Sequence, residues 1–265
     1  VISAPEISLP AYSAISTNSA ILGGTITSDG GTALLERGTL WNTLPGVALG
    51  DHQLAEGGLG TGLFSHVRTG MPAQTQIYFK AYATNSSGTS LTGESSFFTF
   101  SNEPVAHVTG FNAIAGGNNL INLSWATPST GATGYLILQR IGGAAPTGIP
   151  ADGTAYTQGN VIGDGIVAAV IASGAALNAA ITGLSAGTEY TFAIIPFAED
   201  GANSATTNYL TSPIIPSATA TTTGSTSVTY TWQGADNGSW ASPETGTQVV
   251  RRPLRVTSWF SMTEQ

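Results

Sequence analysis

The chain holds three histidines, His52, His66 and His107, and none lies in the His-Glu-x-x-His spacing that sets two imidazoles on one helix face for zinc. They read as ordinary surface or core side chains. Gly57-Gly58-Leu59-Gly60-Thr61-Gly62 has the glycine density of a phosphate-cradling loop, but no helical pattern follows it and no Lys-Ser/Thr pair completes it, so it reads as a strand connection. No Gly-x-Ser-x-Gly elbow is present to expose a hydrolase nucleophile. Asp152-Gly153 and Asp164-Gly165 could bring two carboxylates to one calcium ion, yet neither approaches an Asp-x-Asp-x-Asp-Gly loop, and turn formation explains both. Fifteen acidic residues always permit some facing pair for glycoside hydrolysis, but no spacing selects one, and Glu36-Arg37 reads as an internal or cross-strand ion pair. No catalytic, metal-ligating or cofactor-binding set is assigned, and the expectation is a non-enzyme without cofactors. One group could hold a ligand. Tyr78, Lys80 and Tyr82 alternate along one strand face, giving two rings and a cation that could stack on sugars; packing against neighbouring strands, with Trp41 beside them, is the competing and weightier reading.

The elements that would position these residues follow from composition. Charged residues are 8% of the chain, where soluble proteins carry roughly 25%, and 34 Gly with 13 Pro make it rich in turns. Hydrophobic residues are still 41%, enough for a core. Fifteen acids against seven bases give a net charge of −8, which repels phosphate backbones and argues against a nucleic-acid partner. The bases of the first 240 residues, Arg37, Arg68, Lys80 and Arg140, are scattered, so no polybasic lipid-binding patch exists there. With no cysteine there is neither a disulfide framework nor a thiolate metal site. The longest apolar run, Ile166 to Ile181, is broken by Ser173, Gly174 and Asn178 and is short of the about 20 residues a membrane helix needs; it reads as strand, turn and strand, and no membrane insertion is expected. Opening at Val1 without a charged-then-apolar leader, the chain reads as a processed product or an excerpt.

Helical periodicity is nearly absent, while short β-branched runs alternate with Gly, Asn, Asp and Ser clusters. The fold class expected is all-β. Strands are predicted near Ser19–Thr27, Ala33–Asn42, Leu63–Thr69, Gln76–Thr84 and Ser95–Phe100, then near Asn119–Trp125, Gly134–Arg140, Gly165–Ala172, Leu177–Gly183 and Glu189–Ala198. Ser101 to Pro104 breaks the pattern, and Thr219 to Ser227 has the composition of a linker. The expected domains are residues 1–102, 103–222 and a remainder, 223–265, too short to close a core of its own. Met71 to Phe79 matches Leu184 to Phe192 in spacing and character at an offset of 113 residues, so duplication of one sandwich type is expected.

The second unit resembles a fibronectin type III domain in Leu123-Ser124-Trp125, in Tyr135-Leu136-Ile137 and in Leu184-x-Ala186-x-Thr188-x-Tyr190. The resemblance implies Trp125, Tyr135 and Leu184 as core residues and Tyr190 as a tyrosine corner. Ala186 stands where the family has Pro, and Gly142 to Gly165 is a long insertion. The first unit looks like a variant of the same fold found in large secreted bacterial surface proteins, through Gly23-Gly24-Thr25-Ile26, Asp29-Gly30-Gly31, Glu36-Arg37-Gly38, core Trp41, and Tyr78 to Asn85 followed by Gly88-Thr89; Ile77 takes the place equivalent to Tyr190. The resemblance implies two immunoglobulin-like sandwiches in tandem and a cell-exterior setting. Three roles are compatible with it: a non-enzymatic spacer or adhesion module touching glycans or other surface proteins, a self-associating fibre subunit that adds the strand Thr226–Trp232 to a neighbour's sheet, and an accessory part of a polysaccharide-degrading enzyme.

The end of the chain departs in texture. Residues 1–240 hold 13 acids and 4 bases, a charge of −9, whereas the last 25 hold 2 acids and 3 bases, a charge of +1. Trp232, Gly234 and Gly238-Ser239-Trp240 resemble the opening of a further β repeat of the same secreted proteins. Codons compatible with Arg252 to Gln265, read one base out of phase, permit the Asp-x-Leu-x-Phe strand that would continue it, so a frameshifted or truncated end is expected.

Overall fold

The computed structural model describes residues 1–126 and 129–224, together with the backbone of Thr231–Trp232, Ser239–Ala241 and Val250–Arg251. The expected frameshift, and most of the predicted strand Thr226–Trp232, lie outside the described residues.

The first group of strands is β1 (Glu6–Ser13), β2 (Ser19–Ser28), β3 (Glu36–Asn42), β4 (Leu54–Ala55), β5 (Gly62–Thr69), β6 (Gln76–Asn85), β7 (Gly88–Leu91) and β8 (Ser95–Phe98). One antiparallel sheet has the order β1-β2-β5; the other runs β4-β3-β6-β7, with β8 also paired to β6. Alternation explains the core between them. Ile77, Phe79, Ala81 and Ala83 on β6 are each fully buried, against Leu22 and Ile26 of β2 and Phe64 of β5. Full burial of each such large apolar side chain is worth about 1.5–3 kcal/mol.

The second group repeats this plan strand for strand. It comprises β9 (Asn112–Ala115), β10 (Leu120–Ser124), β11 (Gly134–Ile141), β12 (Val161–Ile162), β13 (Gly165–Ile171), β14 (Asn178–Thr182), β15 (Glu189–Ala198), β16 (Asn208–Tyr209) and β17 (Ser217–Thr221). The sheets are β14-β10-β9 and β12-β13-β11-β15-β16, and β17 also pairs with β15. In both groups the first, second and fifth strands of the common plan form one layer, the third, fourth and sixth form the other, and the last strand is split into two pieces along the sixth. β12 is the extra strand, supplied by the insertion. Three further short strands, β18 (Thr231–Trp232), β19 (Ser239–Ala241) and β20 (Val250–Arg251), form a separate sheet.

Thr219–Thr221 is not a linker: it belongs to β17, whose Ala218 and Ala220 pack on the core while Thr219 bonds across to Thr191 at 2.8 Å. Thr and Ala in strict alternation suit a half-buried strand as well as they suit a loose connection.

β11 and β15 read as near-continuous apolar runs because their sheet has no solvent side. Tyr135, Ile137, Phe192 and Ile194 face the inter-sheet core, while Leu136, Leu138, Ala193, Ile195 and Phe197 form a second core with Ile162, Val167 and Tyr209. The insertion 142–165 folds back to make this cover, contributing Ile162 and Tyr156.

Candidate functional site

The face of β6 that turns away from the inter-sheet core is not open. Tyr82 is only 1% exposed. The β3–β4 connection, turned at Pro45-Gly46 where Gly46 has φ 91, folds over the sheet and packs Val47 against Leu40 and Tyr82, with Tyr78 at the margin. Each member of the expected ligand surface is engaged. Tyr82 donates its hydroxyl to the Glu36 carboxylate, and burial, followed by the hydrogen bond to that carboxylate, pushes the hydroxyl up to about 12. Lys80 donates to the Val47 carbonyl at 2.8 Å and lies 3.8 Å from Glu94. Glu94 accepts in turn from the N–H groups of Gly46 and Val47, at 2.9 and 2.7 Å. The Tyr78 hydroxyl donates to Gln76 at 3.0 Å. Tyr78, Lys80 and Tyr82 therefore clamp a loop and do not form a two-ring platform. Strand alternation identifies the side of the sheet but carries no information about a segment that later covers it.

A second polar group lies where β3 approaches β5 between the two sheets. On β5, Phe64, His66 and Arg68 share the inward side, and Arg68 is 5% exposed. Its Nη1 donates to both the carbonyl and the hydroxyl of Thr39, each at 2.7 Å, and its Nη2 donates to the His52 carbonyl. Thr39 Oγ1 also lies 2.7 Å from His66 Nε2. A guanidinium only donates, so Thr39 Oγ1 accepts from Arg68 and has its own proton and a second lone pair left for the contact with His66 Nε2. Burial, reinforced by the Arg68 charge, holds His66 below the ordinary histidine range. Beside it, Arg37 Nε binds Glu56 at 2.8 Å, and this bond is the main reason the Glu56 carboxyl sits below its usual range. A hydroxyl on a neutral imidazole is the atomic content of a nucleophile and its base, but Thr39 has no exposed surface. The arrangement ties the β3–β4 loop, through His52, to the opposite sheet. The alternation of Phe64, His66 and Arg68 was the available sign that two polar side chains turn inward.

The remaining singled-out residues are structural. Trp41 is 3% exposed and stacks on the His52 ring, with centroids 3.9 Å apart and planes at 6°. Trp125 and Tyr135 meet edge-on at 5.2 Å, and the Tyr135 hydroxyl donates to Gly174 O at 2.7 Å while accepting from Ser129 N at 3.0 Å. Leu184 is buried beside Tyr190, whose hydroxyl accepts from Ser185 N at 3.0 Å, the backward bond that makes a tyrosine corner. Asp152 accepts from Tyr209 N at 2.8 Å, and Asp164 from Thr147 N at 2.7 Å while lying 3.1 Å from Arg140. Among the described residues no three His, Asp or Glu side chains converge as a metal site, and no helix is long and apolar enough to cross a membrane. In the Gly57–Gly62 loop, Gly60 gives its carbonyl to Arg37 at 2.6 Å. A recess of about 440 Å³ between β13 and β14 is lined by uncharged side chains, among them Tyr156, Ala168, Val170, Ala180 and Thr182.

Strand order and sheet pairing, with a tyrosine corner in the second, define the class: two all-β, immunoglobulin-like sandwiches. No protein-family model and no curated protein matches the chain. Solved structures that resemble it include the following two. One, the FN1–FN3 domains of chicken CNTN1, is 14% identical with a TM-score of 0.43, over 84% of this chain and 69% of that one. The other, FN3tt, is 22% identical with a TM-score of 0.26, over 46% of this chain and 92% of that one. The fold class rests on the strand plan itself and not on these two likenesses.

Proposed function

We propose that the chain is a non-catalytic spacer or adhesion segment of a cell-exterior protein. The observation that carries this reading is the join between the two sandwiches. Ser101 is fully buried there: its N–H donates to Thr206 O at 2.7 Å, its carbonyl accepts from Asn208 Nδ2 at 2.8 Å, and its hydroxyl accepts from Gln74 Nε2 at 2.9 Å. Gly153, in the insertion of the second sandwich, packs on Phe100; a Cβ there would come within 3.0 Å of the ring. Inter-domain motion is the default for a bare linker; these bonds tie the connection to both sandwiches and would restrain it, which is what a spacer needs. The adhesive arm of the reading places glycan or protein contact away from the covered face of β6.

Small-angle X-ray scattering on the whole chain tests the spacer. A single narrow distribution of inter-sandwich distances is expected, broadened when Asn208→Ala and Gln74→Ala are combined; a broad distribution in the unaltered chain would sink the reading. Hydrolysis of a polysaccharide or peptide by the purified chain would overturn its non-catalytic part.

A further inference from the structure

An exposed sheet edge offers unpaired N–H and C=O groups to any other strand, and proteins blunt such edges with brevity, proline, bulges or outward charge. The edges here are unequal. β1 is eight residues long but carries Pro10 and register shifts at Glu6/Ile7 and Ser8/Ala11. β4 and β12 have two residues each, β7, β8 and β9 have four, and β14 has five. β5 has eight residues, no proline and a continuous register with β2 from Ser19↔Thr69 to Ile26↔Gly62. Beyond that ladder its backbone makes no hydrogen bond to another backbone group among the described residues. Its outward side chains are Leu63, Ser65, Val67 and Thr69, all exposed, with Leu63 at 75% and Val67 at 61%. Its one formal charge, Arg68, is turned inward.

The outward pattern is also self-complementary. Antiparallel pairing about a two-fold axis at Ser65 sets Leu63 opposite Val67 of the other copy, Ser65 opposite Ser65, and Val67 opposite Leu63. Apolar side chains then meet apolar ones on the outer face and no charge opposes its like, as an isologous contact requires. We propose that β5 is a self-association edge: it pairs antiparallel with β5 of a second copy, centred on Ser65, and fuses two three-stranded sheets into one of six strands. Because the edge is consumed by its own partner, the contact closes at the dimer and does not propagate.

The absence of cysteine makes the test direct. Opposed residues of an antiparallel pair have Cα atoms about 4.5–5.5 Å apart, within disulfide reach. Ser65→Cys should therefore yield a covalent dimer under mild oxidation of the whole chain. Thr69→Cys, equally exposed on the same strand, would be held roughly 27 Å from its counterpart at about 3.4 Å per residue, and should give no covalent dimer. Adding Val67→Lys to Ser65→Cys should abolish the cross-link, with circular dichroism confirming that the fold is retained. Equal cross-linking of the two single variants, or cross-linking that survives Val67→Lys, overturns the proposal. So does sedimentation of the unaltered chain as a monomer at high concentration.

Discussion

Thr99 occupies in the first sandwich the station that Thr222 occupies in the second. Each hydroxyl donates to a carbonyl at the start of the turn before the sixth strand, Pro72 or Ser185, at 2.6 Å in both cases, and accepts from the N–H of Thr75 or Thr188 at 3.0 and 2.9 Å. Pro72 and Ser185, like Thr75 and Thr188, are 113 residues apart, so the repeat legible in sequence is also a repeat of hydrogen bonds. The turn residues between them, Gln74 with φ 52 and Gly187 with φ 60, share the left-handed conformation.

Replacing either threonine by valine removes both hydrogen bonds from these partly buried turns, at about 0.5–1.5 kcal/mol for each bond lost. Thermal unfolding should show a lowered Tm for Thr99→Val and Thr222→Val, and serine should restore most of the loss at each. If valine is as stable as threonine, the hydroxyl does not lock the turn.

The Tyr82 hydroxyl, raised from the ordinary tyrosine value of 10.0 to about 12, makes the fold sensitive to alkali. A folded value above the unfolded one means that the unfolded chain loses its proton first. The stabilisation is complete below about pH 10 and declines as pH rises toward the folded value of about 12. Ultraviolet titration of tyrosinate in the unaltered chain minus that of Tyr82→Phe should isolate a late-ionising ring. A difference curve centred at an ordinary tyrosine value would contradict a closed β3–β4 loop.

His66 works in the opposite direction, since its folded value lies below the ordinary one. The unfolded state takes up the proton first, so the stability contributed is present above the ordinary histidine value and lost as pH falls through it. Two carboxyls oppose this: burial raises both Asp152 and Glu103, which favours the fold as acid is added. The comparison that isolates His66 is therefore the chain against His66→Gln. Between pH 7.5 and 5.5 the urea midpoint of the unaltered chain should fall further than that of the variant; parallel curves would remove His66 from the balance.

Leu138 tests the second core. It lies on the side of β11 away from the inter-sheet core, yet it is fully buried by the insertion. Leu138→Ala should cost about 2–5 kcal/mol, as for a core leucine, where an uncovered sheet face would lose within about 0.5 kcal/mol. Denaturant unfolding distinguishes the two.

Much of the strand plan was legible because its carriers are long and apolar. Glu189–Ala198 has the predicted bounds, and β5 and β6 differ from theirs by one residue. The unread strands β4, β7, β9, β12 and β16 have two to four residues and exist by pairing to a neighbour, which local sequence does not encode. β1 was hidden by Pro10 and its irregular register. Alternation placed Tyr78, Lys80 and Tyr82 on one face correctly, but exposure depends on Val47 arriving from a loop more than thirty residues earlier in the chain. The unbroken apolar runs from Tyr135 to Leu138 and from Phe192 to Ala198 were the local signs that a sheet lacked a wet side.

That two-sided burial also sets the order in which the molecule opens. Amide hydrogens along β11 and β15 lie in the middle of a sheet, between two apolar layers, so solvent reaches them only after both the insertion and the opposite sheet have let go. Exchange there reports whole-sandwich unfolding, whereas amides of the β1-β2-β5 and β14-β10-β9 sheets, whose outer side chains are exposed or half-buried, exchange through smaller and cheaper openings.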